Sequence, residues 1–207
     1  MAYTDIDDPT AYFQTKLYTG TRANLNVTFD GNSDMSPNLV WVKDRTNTNN
    51  QIMFDSVRGI NKAILPNAAN AETTYTDSVT AFNSDGFTLG DDDEGQCNVD
   101  GNACASWNWK AGTSFTNDAS GTGIGSIDSA GSVNDTAGFS IVSYTGNGSS
   151  GATIKHGLST APKIIIAKNR QRAADWLVFS SSMSSNGDYT LFLQSTSAKD
   201  NSQDYWG

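Results

Sequence analysis

The sequence holds only two glutamates, Glu72 and Glu94, against 20 aspartates. It has one histidine, two cysteines and four prolines. No apolar run approaches the roughly 18 residues that a membrane-spanning helix needs, so no membrane insertion is expected. With few helix formers and an excess of residues that hydrogen-bond locally or relax φ, long helices are disfavoured. That excludes helical bundles and α/β enzymes built on many long helices. Lys and Arg number 13 against 22 acidic residues, a formal net charge of −9, and they nowhere cluster. The electrostatic footprint that phosphate backbones require is missing, so nucleic acid is not an expected partner. The first residues, Met1-Ala-Tyr-Thr-Asp-Ile-Asp-Asp8, carry neither a basic nor an apolar stretch. No secretory signal peptide is expected there.

What the chain has in abundance is turn chemistry. Ser, Thr, Asn, Asp and Gly make up 105 of its 207 residues. Five Trp, seven Tyr and nine Phe supply enough aromatic surface to build a core, which argues against disorder. Short apolar or alternating runs punctuate the turns, at residues 12–18, 39–42, 51–54, 86–89, 105–109, 139–144, 164–167, 176–179 and 190–193. These predict strands, and their spacing predicts an all-β protein of antiparallel β-sandwich type. One short helix is expected between residues 55 and 71, weakened by Gly59 and Pro66. Trp107 and Trp109 fall on one face of their strand, Ser106 and Asn108 on the other. Core packing is the expected role of most tryptophans.

The sequence also repeats itself. Ala11-x-Phe13 and Tyr18-Thr-Gly20 recur as Ala137-x-Phe139 and Tyr144-Thr-Gly146, 126 residues later. Pro37-x-Leu-Val-Trp-Val-Lys-Asp-Arg45 recurs as Pro162-x-Ile-Ile-Ile-Ala-Lys-Asn-Arg170 at an offset of 125, and Phe54-Asp-Ser56 as Phe179-Ser-Ser181. Register held over separated segments marks a tandem repeat. The expected organisation is an N-terminal arm (1–10), a first sandwich unit (11–110), a Gly/Ser-rich linker (111–135) and a second unit (136–207). The second unit has no counterpart of the strands around Phe87 and Trp107, so it is expected to be incomplete: either the chain continues elsewhere, or another chain completes the unit.

Several blocks resemble a known family. They are Ala11-Tyr-Phe-x-Thr-x-Leu-Tyr-Thr-Gly20, Pro37-x-x-Val-Trp-Val-Lys-x-Arg45, Phe54-Asp-Ser-Val-Arg-Gly59, Phe82-x-Ser-Asp-Gly-Phe-Thr-Leu89 and Trp107-x-Trp-Lys-Ala-Gly112. The second unit adds Ala137-Gly-Phe-Ser-Ile-Val-Ser-Tyr-Thr-Gly146, His156-Gly-Leu158, Ala161-Pro-Lys163 and Lys168-Asn-Arg170. Together they resemble an uncharacterised tandem domain of tailed phages of marine bacteria, including cyanophages and pelagiphages. The resemblance implies a tail-fibre-like virion surface protein with sandwich units of concanavalin A-like or jelly-roll type. It implies no catalytic site. The expected role is host attachment through a surface glycan or receptor, beside other virion proteins, with homo-oligomer formation as an open alternative. A capsid-decorating or assembly protein without a ligand is the second reading, and a polysaccharide hydrolase the third.

Candidate sites are few. Glu72 and Glu94 stand too far apart in sequence for the paired carboxylates of a glucanase strand, so no enzyme is expected. The polar loop Thr46-Asn-Thr-Asn-Asn-Gln51 offers Asn47, Asn49, Asn50 and Gln51 for hydrogen bonds to a ligand. Asp91, Asp93 and Glu94 are the oxygen-rich cluster that could take Ca²⁺, with a solvated turn as the alternative. Cys97 and Cys104 flank Asp100-Gly101, a two-residue hairpin turn that would set the cysteines opposite each other within disulfide reach. His156 reads as a turn residue rather than a triad member, because no Gly-x-Ser-x-Gly elbow accompanies it.

Overall fold

The computed structural model describes residues 6–183, 188–202, 205 and 206. It is all-β, an assembly of antiparallel sheets. Residues 1–5 of the expected arm lie outside the described residues; a 3-10 turn at Pro9–Ala11, capped by Asp8, leads into the first strand. A six-stranded sheet contains β1 (Phe13–Thr19), β3 (Leu39–Asp44), β4 (Ile52–Asp55), β5 (Gly59–Ile64), β6 (Thr73–Thr74) and β9 (Ala103–Trp109). Its order is β1-β9-β3-β4-β5-β6. Facing it is a three-stranded sheet of β2 (Leu25–Val27), β8 (Gly86–Leu89) and β7 (Val79–Asn83). Val40, Val42, Ile52 and Phe54 from the large sheet pack on Val27, Val79, Phe87 and Leu89 from the small one. These two sheets form a β-sandwich.

The turn between β7 and β8 shows why its glycine is needed. Asn83 stands opposite Gly86, whose φ is +106°. A Cβ there would fall 2.0 Å from the Val27 carbonyl oxygen. Any other residue would push β2 away from β8.

The two faces of β9 are assigned contrary to the sequence expectation. Ser106 and Asn108 are fully buried, while Trp107 lies at 36 % exposure on the outer face. The core tolerates Asn108 because its amide donates to the Gln14 carbonyl (3.0 Å) and to Ser106 Oγ (2.9 Å). The tryptophans instead form an outer aromatic layer. Trp41 meets Trp107 at 6.3 Å, and Trp109 meets Phe13 at 4.9 Å and Phe139 at 6.0 Å. Trp176 alone among the tryptophans in strands is buried.

Two further expectations are corrected. The segment 55–71 holds no helix: Asp55 ties the turn at Val57 and Arg58, and β5 follows. The stretch 111–135 is not a linker. It folds into β10 (Thr113–Asn117), a helical turn α1 (Ala119–Thr122) and β11 (Ser129–Asn134). These strands join β12 (Phe139–Tyr144) in a sheet ordered β10-β11-β12. Phe115, Gly131 and Val133 do the packing there, with Gly157 closing over them. A last sheet contains β13 (Ile164–Lys168), β14 (Trp176–Ser180) and β15 (Leu191–Phe192).

The loop after β5 docks the two halves. Trp176 Nε1 donates to the Leu65 carbonyl (2.9 Å) and the Ala68 carbonyl (3.1 Å). Ala174 N donates to Ala69 O, and Glu72 N to Arg170 O.

Phe87→Ala is expected to lose about 3–5 kcal/mol in urea denaturation, since it empties the centre of the sandwich. Leu17→Ala, on the outer face of β1 and 64 % exposed, is expected to stay within about 0.5 kcal/mol of wild type.

Candidate functional site

The loop 46–51 is organised by Asp44 rather than left open for a ligand. Asp44 Oδ1 accepts from the Thr46 and Asn47 N–H groups (2.8 and 3.2 Å), and Oδ2 from the Asn49 and Asn102 amides (3.0 and 2.7 Å). Burial would raise this carboxyl, but those donors outweigh it and hold the group below its ordinary range. Lys43 Nζ caps the carbonyls of Asp44, Asn47 and Asn49. Asn49 also reaches the Gly95 carbonyl, Asn50 accepts from Asn67, and Gln51 Oε1 accepts from Trp41 Nε1 at 2.9 Å. Of the four residues expected to bind a ligand, three spend their side chains on the fold. Asn47 is the one whose side chain stands exposed.

In the acidic run the decisive residue is Asp92, which the sequence pattern did not single out. It turns inward with φ +52°. Its Oδ1 accepts from Ser78 Oγ (2.6 Å), and its Oδ2 from the N–H groups of Cys97 and Asn98 (both 2.8 Å). Asp91, Asp93 and Glu94 point to solvent, Asp93 toward Arg22 at 3.4 Å. Among the described residues no group of three or more His, Cys, Asp or Glu is placed to hold a metal ion. The calcium expectation has no ligand set there.

Asp92 also explains the cysteines. By binding two successive N–H groups it folds residues 92–98 as a loop, so no strand forms opposite Cys104. The cross-strand neighbours of Cys104 are Tyr18 and Asp44. Cys97 and Cys104 are free and buried, not a disulfide. Burial, with the Asp92 carboxylate beside it, pushes the Cys97 thiol well up. Burial, with Asp44 near, pushes Cys104 up to about 11.

Glu72 is occupied as well. It accepts from Arg170 through both oxygens (2.7 and 2.9 Å) and from Arg58 Nη1 at 3.1 Å. Arg58 is in turn held by Asp55 at 2.5 Å. Burial would raise the Glu72 carboxyl, yet the two guanidinium groups win and lower it. A carboxylate committed to two arginines has no proton to deliver. His156 is likewise a turn residue: Nδ1 accepts from the Leu158 N–H, and its carbonyl accepts from Ser140 Oγ.

The open feature lies where a linker was expected. A cleft of about 780 Å³ runs along the ends of β10, β11 and β12. Asp118, Asp128, Ser129, Ser143, Tyr144 and Asn147 contribute to its walls. Tyr144, at the end of β12, is 50 % exposed. Asp118 caps α1: the Ser120 hydroxyl (2.7 Å) and the Gly121 N–H (3.0 Å) hold its carboxyl below the ordinary range. Asp128 accepts from the Ala119 N–H at 2.8 Å, which fixes the same turn against the cleft floor. The arrangement offers one aromatic face bordered by carboxylate, amide and hydroxyl groups. Its sequence signal was Tyr144-Thr-Gly146, the partner of Tyr18-Thr-Gly20. Tyr18 is packed against the core, with its hydroxyl donating to Cys97 O at 2.7 Å, whereas its counterpart faces solvent.

A family model described as a domain of unknown function, DUF7483, matches residues 8–207. The chain belongs to this family. No curated protein and no solved structure matches this DUF7483 chain. Among its described residues no helix is long and apolar enough to cross a membrane.

Glu72→Gln is expected to cost this DUF7483 domain about 2–3 kcal/mol at pH 7, since the buried Arg58 and the Arg170 fork both lose an ionic acceptor. A carboxyl lowered on folding stabilises above its unfolded value and ceases to do so as pH falls through the folded one. The gap between wild type and variant in urea titrations should therefore be full at pH 7 and shrink below about pH 4.

Proposed function

We propose that this DUF7483 chain is a non-enzymatic virion surface protein of a tailed phage, tail-fibre-like, that attaches to host surface glycans through the cleft beside Tyr144. The phage context comes from the sequence resemblance. So does the finer assignment of its sandwich to the concanavalin A-like or jelly-roll type. The observation that carries the ligand reading is the half-exposed Tyr144 ring set among Asp118, Asp128, Ser129 and Asn147. Sugars present apolar C–H faces and a rim of hydroxyls, which match an aromatic platform with polar neighbours. The cleft is shallow, so single contacts are weak and repeated copies on one particle supply the avidity.

A second reading is favoured by a different observation. Ile164, Ile165 and Ile166 are exposed together on β13. An apolar strand of this kind suits a capsid-decorating or assembly protein that contacts other virion proteins and takes no glycan.

A glycan array probed with the fluorescently labelled chain, displayed on a multivalent bead, separates the two. Binding to host-derived glycans that drops about tenfold or more in Tyr144→Ala supports attachment through the cleft. No binding by the wild-type chain favours assembly. Turnover of a host polysaccharide by the same preparation would sink the non-enzymatic reading.

A further inference from the structure

β3 and β13 are built alike on one edge and differ on the other. Each β3–β4 pair, moved by 125 residues, is a β13–β14 pair: Leu39 faces Asp55 as Ile164 faces Ser180, and Val42 faces Ile52 as Ala167 faces Leu177. The second edge of β3 is covered throughout by β9, from Leu39 opposite Trp109 to Asp44 opposite Cys104. β13 ends its sheet and has no such partner. The consequence shows in exposure. Leu39 and Val40 are 8 % and 0 % exposed, but their counterparts Ile164 and Ile165 are 64 % and 38 % exposed.

The backbone tells the same story. In the first unit the Arg45 N–H donates to Ala103 O and the Asn38 N–H to Trp109 O, both at 2.8 Å. The equivalent N–H groups of Arg170 and Lys163 have no acceptor among the described residues. In an antiparallel strand alternate residues direct their N–H and C=O to the same edge. Leu39, Trp41 and Lys43 thus share the β9 edge with Arg45, and Ile164, Ile166 and Lys168 aim at an open one.

We propose that the open edge of β13 is a strand-addition site that takes an extended segment of β9 chemistry from a second polypeptide. The first unit states what fits. Inward positions carry small or amide side chains, as Ser106 and Asn108 do. Outward positions carry aromatic rings, which would lie over Ile164 and Ile166 as Trp109 and Trp107 lie beside Leu39 and Trp41. Main-chain hydrogen bonds supply the affinity and the alternating side chains the selectivity. An uncovered apolar strand edge invites pairing, and this one has its template inside the same molecule.

The test is hydrogen exchange on the full chain with an added peptide of residues 102–110 carrying Cys104→Ser. Amides of residues 163–170 are expected to slow by about tenfold or more on peptide addition, while β1 and β3 stay unchanged. Ile166→Asp, an exposed position, is expected to retain the native circular dichroism and to lose that protection. A composition-matched scrambled peptide needs no variant and should protect nothing. Three results would overturn the proposal: no protection at saturating peptide, equal protection by the scrambled peptide, or protection of residues 163–170 that grows with protein concentration alone. The last would mean that a second copy of the chain, through some other segment, covers the edge.

Discussion

The first sandwich depends on one pairing, the entry of β9 between β1 and β3. Asn108 and Gln14 are 94 residues apart in the chain, yet their hydrogen bond lies in the middle of the large sheet. Until β9 arrives, β1 and β3 have no common neighbour, and Val40 and Val42 have an unfinished layer around them. Such a contact is costly in chain entropy before it is rewarded, which places it late in folding. It also explains the polar core face of β9. Small and amide side chains let the strand lie close to the opposite sheet, and β1 supplies the carbonyls that satisfy them.

The second half shows the same plan without that strand. β13 and β14 keep the register of β3 and β4, but their isoleucines stay in solvent. Stability there is borrowed from the first half. The loop 65–72 covers Trp176, and Glu72 bridges Arg58 on one side and Arg170 on the other. The two arginines are placed for opposite reasons. Arg58 belongs to the turn that Asp55 builds, whereas Arg170 closes the Lys-Asn-Arg block that answers Lys43-Asp-Arg45. The ion pair therefore ties a local turn to a repeated motif, and it fixes how the halves sit against each other.

Much of this was legible in the sequence, for physical reasons. Runs such as Leu39-Val-Trp-Val42 and Ile164-Ile-Ile-Ala167 are too short for helices and too apolar for loops, so their strands were readable. The repeat carried the pairing register because hairpin geometry follows sequence spacing. Three things were not readable. Trp107 and Asn108 alternate in either orientation, and only the sheet that packs against β9 decides which faces inward. The segment 111–135 has the composition of a linker, but Phe115 and Val133 need one hairpin between them to make a small core. In Asp91-Asp-Asp-Glu94 the acidic residues look equivalent; a single left-handed backbone position selects Asp92 to organise the loop. Local pattern gives alternation, and long-range packing gives its sign.

The two buried thiols carry a last consequence. With their acidities suppressed by burial and by neighbouring carboxylates, Cys97 and Cys104 present almost no thiolate near neutral pH. Oxidants and alkylating agents act on thiolate, so the folded chain is chemically quiet at sulfur whether its surroundings are reducing or oxidising. Its two sulfur atoms become reactive only when the sandwich opens. The redox history of the protein is thereby tied to its folding equilibrium rather than to the medium in which it is found.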